Sequence, residues 1–233
     1  MDRIEIKKLA KEKIRGNKWN IIWPMLVISV VSCILESIVG GNPTFTIDEA
    51  GNFVINSVSP AASACTIVIS ILIGVITAGY MKYILNFVRT GKFDTDDIIE
   101  CIKKKWKDLL VALALLYVIF FLCGVVFALG IIISLGIATI AFVVLYIIIS
   151  LAYAMVTFIV IDSGTKGSDS LKASREMMKG YKWDYFVFWL SFIGWCLLVP
   201  FTLGIILIWL YPYMTVAGAM YYDELKKLRK KAD

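Results

Sequence analysis

Histidine is absent from the 233 residues. Without an imidazole there is no histidine-based triad, no histidine-ligated metal and no histidine switch near neutral pH. Charge is scarce as well: Asp, Glu, Lys and Arg make up 18% of the chain, against about 25% in a soluble domain. The five cysteines, at 33, 65, 101, 123 and 196, form no CxxC and no paired spacing. Four of them fall in apolar runs, where a thiol behaves as a small hydrophobe, so neither a disulfide framework nor a thiolate metal centre is expected. A GxSxG elbow, a phosphate-binding glycine loop and an HExxH pair are all missing, and with them the usual hydrolase, nucleotide and zinc chemistry. The expectation is no catalytic residue, no cofactor and no metal site.

Apolar residues are what the chain has instead. They account for 60% of it, and the mean hydropathy is +0.81. A water-soluble protein of this composition would expose large apolar patches and aggregate, so lipid is the solvent for most of the chain. A bilayer core about 30 Å thick takes about 20 apolar residues in helical form. Such runs cover Ile21 to Val39 and Ala61 to Met81, separated by a polar stretch from Gly40 to Pro60. Leu109 to Ile161 carries no charged residue, too long for one crossing, and Gly124, Gly130 and Gly136 mark the region of its reversal. The last run, Tyr185 to Tyr222, is split by Pro200 and Gly204. Glu5 and Glu12 in a long charged leader, and the similar runs that follow, argue against a cleaved signal peptide. The predicted fold is all-α: a polytopic membrane bundle of six transmembrane helices within a single domain spanning 1–233.

Basic residues orient this bundle. All 24 Lys and Arg fall before the first run, between the second and third, between the fourth and fifth, or after the sixth. Six crossings put these four segments on one face, which the positive-inside rule makes cytoplasmic, with both termini inside. The net charge of +6 therefore reads as membrane-surface charge, and the basic segments carry no nucleic-acid signature.

The chain also repeats itself. Glu12-Lys-Ile-Arg15-Gly16-Asn-Lys18-Trp19 and Glu176-Met-Met-Lys179-Gly180-Tyr-Lys182-Trp183 share the pattern E-x-x-[RK]-G-x-K-W, and a degraded form runs from Glu100 to Lys105-Trp106-Lys107. Ala78-Gly-Tyr-Met81, Ala152-Tyr-Ala-Met155 and Ala217-Gly-Ala-Met220 echo one another near the ends of the even-numbered runs. Three helical hairpins, each preceded by a basic amphipathic interfacial helix, would then occupy about 1–90, 91–165 and 166–233, related by an axis along the membrane normal. Ile6, Leu9, Ala10 and Ile14 form one apolar stripe; Leu171, Ser174, Met178 and Tyr181 a second; Ile98, Ile99, Ile102 and Trp106 a third. Trp19, Trp106 and Trp183 are the expected interfacial anchors. Gly16 and Gly180 are the expected left-handed positions at the elbows. Arg15, Lys18, Lys105, Lys107, Lys179 and Lys182 are candidate contacts for anionic lipid headgroups, with anchoring and topology as the plainer reading.

Glu36 is the one ionisable residue well inside a predicted crossing, and intramembrane carboxylates are costly and often functional, which makes it a possible coupling group. It lies within a turn of the outer boundary, where it can reach water. Gly74-x-x-x-Ala78, Gly124-x-x-x-Ala128 and Ala217-Gly218-Ala219 are candidate close-packing sites. Tyr211-Pro212-Tyr213 interrupts the sixth run.

Met178-Lys-Gly-Tyr-Lys-Trp183, Leu190-Ser-Phe-Ile-Gly-Trp195, Thr202-Leu-Gly-Ile205, Tyr211-Pro-Tyr213 and Tyr221-Tyr-Asp-Glu-Leu225 closely resemble the bacterial integral-membrane family catalogued as domain of unknown function 975, and Gly16-Asn-Lys-Trp19 fits it too. That family is distantly similar to the membrane domain attached to some glycerophosphodiester phosphodiesterases. The chain has no room for their soluble catalytic domain, so no such activity is implied. The resemblance implies a polytopic helical protein of a bacterial cytoplasmic membrane and supplies no active-site residue. The expected function is a non-enzymatic scaffold or accessory protein that binds a membrane-protein partner or a second copy, or organises lipid; the alternative is a transporter or channel for a small molecule or lipid.

Overall fold

The computed structural model describes residues 3–39, 44–47, 53–56, 59–133 and 137–232. α1 (Arg3–Arg15) leads through Gly16 and Asn17 into α2 (Lys18–Val39). The polar stretch that follows contains a short antiparallel ribbon, β1 (Thr44–Ile47) with β2 (Phe53–Asn56), in which Thr44 faces Asn56 and Ile47 faces Phe53. It is the one departure from helix among the described elements. α3 (Pro60–Thr90) starts on Ser59, whose hydroxyl accepts the Ala62 N–H at 3.2 Å, with proline in the first turn where its missing N–H costs nothing. It ends on Gly91 at φ 73°, whose N–H reaches the Phe87 carbonyl at 2.8 Å.

α4 (Asp96–Ile133) is a single helix of 38 residues. The expected third elbow at Lys105-Trp106-Lys107 is therefore absent, and the amphipathic segment runs straight into the apolar one. The reason is local: residues 96–108 contain neither glycine nor proline, so no residue there favours leaving the helix. Gly124 and Gly130, expected to mark the reversal, lie within α4; Gly136 falls outside the described residues, and α5 (Ile137–Tyr153) follows. α6 (Val156–Ser163) continues α5 after a break at Ala154–Met155 and is stopped by Gly164 at φ 64°. α7 (Gly167–Met178) then precedes α8 (Lys182–Leu190), the short α9 (Ile193–Cys196) and α10 (Leu207–Ala232).

Between α8 and α10 the chain reverses at Leu203 (φ 48°) and Gly204 (φ 83°), with the Gly204 N–H bonded to the Val199 carbonyl at 2.9 Å. That is the helix-ending bond to a carbonyl five residues back, placed where Pro200 and Gly204 locate the split. Tyr185 meets Tyr221, Trp189 approaches Gly218 and Phe192 meets Tyr213, so the two arms run antiparallel. Among the described residues, four helical stretches are long and apolar enough to cross a membrane: Lys18–Val39, Pro60–Thr90, Asp96–Ala128 and Ile140–Ser163.

The core lies at the basic ends of these helices. Ile21, Ile84, Leu109, Met155, Ile161, Phe188 and Tyr221 are fully buried there. Toward the far ends the helices part, leaving Ile38, Phe121 and Phe201 at 75%, 68% and 85% exposure. A gap of about 400 Å³ opens between α4 and α5, lined by Leu122, Val126, Phe127, Phe142 and Tyr146. Gly124 has nothing within 4 Å of a would-be Cβ and makes no close contact, whereas Gly74 lets α3 approach Leu113, whose Cδ1 would lie 2.9 Å from that Cβ. Small residues thus serve packing at the tied end and leave space at the open one.

Two backbone repairs hold the tied end. Pro24 sits inside α2 and removes the N–H that would reach the Asn20 carbonyl. Tyr83 donates its hydroxyl to that carbonyl at 2.8 Å, and Tyr80 donates to the adjacent Ile21 carbonyl at 3.0 Å. At the α5/α6 break, buried Ser174 donates to the Ala152 carbonyl at 3.0 Å and accepts the Met155 N–H at 3.3 Å. Each interruption is thus met by a hydroxyl from a neighbouring helix.

Candidate functional site: the ion-paired basic end

The C-terminal ends of α3 and α6 meet the second half of α10 at one charged cluster. Arg89 lies in the last turn of α3 and Asp162 in the last turn of α6, each two residues before a left-handed glycine cap. A cation suits a helix C-terminus, but a carboxylate does not, since the unpaired carbonyls there carry partial negative charge. Asp162 is only 7% exposed and needs compensation. It receives Arg89 Nη1 at 2.5 Å and Nη2 at 3.0 Å, the Tyr222 hydroxyl at 3.0 Å, and the Lys226 ammonium. Lys105 Nζ donates to the neighbouring Ile161 carbonyl at 2.8 Å. Arg89 also grips Asp223 through Nε at 3.0 Å and Nη2 at 2.5 Å. Two cations and two carboxylates thereby balance, and the Arg89 fork is used on both sides.

A second set of contacts fastens α1. Ile6, Ala10 and Ile14 are buried as expected, but Leu9 is 41% exposed, and the stripe faces α10 and α2. Arg3 Nε lies 3.4 Å from Asp184, which accepts the Tyr221 hydroxyl at 3.0 Å. Lys7 Nζ reaches Ser191 Oγ at 2.9 Å and its carbonyl at 3.3 Å, and sits 4.6 Å above the Phe192 ring. Partial burial lowers the pKa of this ammonium below the ordinary lysine value. Lys13 donates to the Val88 carbonyl at 2.5 Å, and the Tyr213 hydroxyl donates to the Lys7 carbonyl at 3.3 Å.

The residues singled out from the sequence fare unevenly. Arg15, Lys107 and Lys179 are exposed and Lys182 half-buried. Lys18 lies 4.6 Å over the Trp209 ring, and Lys105 is spent on Ile161. No common pocket gathers these six among the described residues. Trp19, Trp106 and Trp183 are 76%, 46% and 74% exposed. Glu36 is half-buried on α2 and makes no ion pair or hydrogen bond among the described residues. Gly180 takes the left-handed conformation at φ 84°, whereas Gly16 does not; the α1–α2 elbow turns instead through a bond from the Asn17 N–H to the Ile14 carbonyl at 2.9 Å. On α7 the buried stripe is Gly167, Ser170, Ser174 and Met178, shifted from the expected one because Gly167 packs directly on the α4 backbone. A Cβ there would lie 2.5 Å from the Asp108 carbonyl oxygen.

Arg89, Asp162, Asp223 and Lys226 escape a search for motifs, because each looks like an ordinary charge beyond an apolar run. The available signal is the pair Arg89-Thr-Gly91 and Asp162-Ser-Gly164, opposite charges at the same distance from a helix-ending glycine.

No curated protein and no solved structure matches the chain. A family model described as protein of unknown function (DUF975) matches residues 1–143 and 130–229. With nearly every residue inside one match or the other, the chain belongs to the DUF975 family.

Proposed function

We propose that this protein is a six-span, non-enzymatic scaffold or accessory protein of a bacterial cytoplasmic membrane, with both termini cytoplasmic. The α8–α9 arm and the apolar part of α10 serve as spans five and six. Their antiparallel pairing about Gly204 and the length of the 182–202 arm support this. The basic end faces the anionic leaflet, with Trp19, Trp106 and Trp183 at its border, and Arg15, Lys18, Lys107, Lys179 and Lys182 beside the headgroups.

One observation carries the scaffold reading: the clustered charges of the basic end, Arg89, Asp162, Asp223 and Lys226, are bonded to one another, while large apolar side chains such as Phe121, Phe201 and Leu203 remain uncovered at the far end. Reactive chemistry needs an available group in a cleft; an uncovered apolar wall needs lipid or another protein. Purification in mild detergent followed by crosslinking should yield a stoichiometric membrane-protein partner or a homo-oligomer. A lone monomer without crosslinked neighbours would overturn the reading.

The transporter alternative draws on Glu36, a carboxylate on an apolar helix with no ion pair among the described residues. Under it, Glu36→Gln abolishes coupled uptake. The apolar lining of the α4–α5 gap weighs toward the scaffold.

A further inference from the structure

A cleft of about 640 Å³ lies between α1, the end of α3 and the last turns of α10. One wall is apolar, made by Ile6, Leu9, Val88 and Met220; the rim carries Lys13, Arg89, Lys226, Lys227 and Lys230 against Asp223 and Glu224. These cations are not equivalent. Arg89 and Lys226 are engaged with Asp162 and Asp223. Lys227 holds only Glu224, at 3.7 Å, with its side chain 71% exposed. Lys230 makes no ion pair or hydrogen bond among the described residues. Lys13 keeps one donor on the Val88 carbonyl and has others to give.

An apolar wall beside uncommitted ammonium groups fits an amphiphile with a single anionic head. We propose that this cleft holds one anionic phospholipid, its phosphodiester between Lys13, Lys227 and Lys230 and its glycerol and upper acyl carbons against Leu9 and Met220. The assignment rests on the basic end facing a membrane leaflet. It goes beyond that reading by naming a stoichiometric site away from the exposed elbow lysines. Arg89, Asp223 and Lys226 of the ion-paired quartet line the cleft and take no part in gripping the lipid.

The test is native mass spectrometry of the full chain in mild detergent, titrated with phosphatidylglycerol or phosphatidylcholine. Phosphatidylglycerol should occupy one site per chain in preference to phosphatidylcholine. Lys227→Gln with Lys230→Gln should weaken it about thirty-fold, as loss of two near-surface cations implies. Lys103→Gln with Lys172→Gln, equal in charge change but outside the cleft, should leave it intact. Equal weakening by both pairs overturns the site and leaves the orientation of the basic end standing. Displacement by inorganic phosphate alone overturns the lipid assignment. No preference for phosphatidylglycerol in any variant overturns the site and the leaflet reading together.

Discussion

Replacing Asp162 with Asn keeps the shape of the side chain and removes its charge. The carboxylate is 7% exposed and accepts from Arg89, Lys226 and Tyr222. An amide has one acceptor oxygen, and its NH2 must face one of those donors, so at least one bond becomes a donor–donor contact. Arg89 and Lys226 would then share Asp223 alone. Breaking a buried pair by removing one partner costs about 3–5 kcal/mol. Arg89 and Lys226 are each about a third exposed, and can turn partly to water, which brings the expected loss to about 2–3 kcal/mol. Reversible unfolding in mixed micelles measures it, alongside Arg89→Gln and the double variant. A coupling of about 1–2 kcal/mol is expected between the two sites. Glu176→Gln, an exposed acid on α7, should change stability by less than about 0.5 kcal/mol. Additive effects of Arg89→Gln and Asp162→Asn would refute the reasoning, since residues joined by two hydrogen bonds cannot act independently.

Tyr83→Phe removes the donor to the Asn20 carbonyl and should cost about 1 kcal/mol. Pro24→Ala restores a backbone N–H for that carbonyl, so the cost should shrink in the Pro24→Ala background; an equal cost in both backgrounds contradicts the repair. Gly167→Ala drives a methyl against the Asp108 carbonyl and should destabilise by about 2–3 kcal/mol, whereas Gly124→Ala, with open space around it, should be neutral or stabilising; melting temperatures decide. Ser174→Ala leaves the Met155 N–H and the Ala152 carbonyl unbonded, at a cost of about 1–2 kcal/mol, and hydrogen exchange at Met155 should accelerate relative to Ile159. Unchanged protection at Met155 would remove Ser174 from its bridging role.

The sequence makes some of this structure easy to read. Apolar runs near the length of a bilayer, and the punctuation at Ser59-Pro60, Gly91, Gly164 and Gly204, mark helix ends with a local cause that needs no partner. The α8–α10 reversal is legible for the same reason. What is not legible depends on contact between distant residues. The third elbow fails because Trp and Lys resemble an elbow in composition while only a residue able to leave the helix makes one, as Gly180 does. The stripe on α7 shifts because Gly167 meets the α4 backbone, a fact of the neighbour rather than of α7. Six candidate lysines and arginines come from a motif repeated along the chain, yet the groups brought together, Arg89, Asp162, Asp223 and Lys226, belong to three helices and pair across 64 to 134 residues. Charge near a helix end tells which face it occupies, and only the tertiary fold tells which carboxylate it meets.

The anchoring of α1 sets an order of assembly. Its Arg3 and Lys7 side chains find Asp184 and Ser191, and its Lys7 carbonyl accepts from Tyr213, 206 residues away. Those partners are synthesised long after α1, so most of the surface that receives its stripe is missing until α8 and α10 have been made. Until then its apolar stripe must wait at the lipid surface, for which its many lysines suit it. Seating of α1 thus waits on α8 and α10, and a chain cut short before α10 would keep most of that stripe uncovered, a ready mark for quality-control proteolysis.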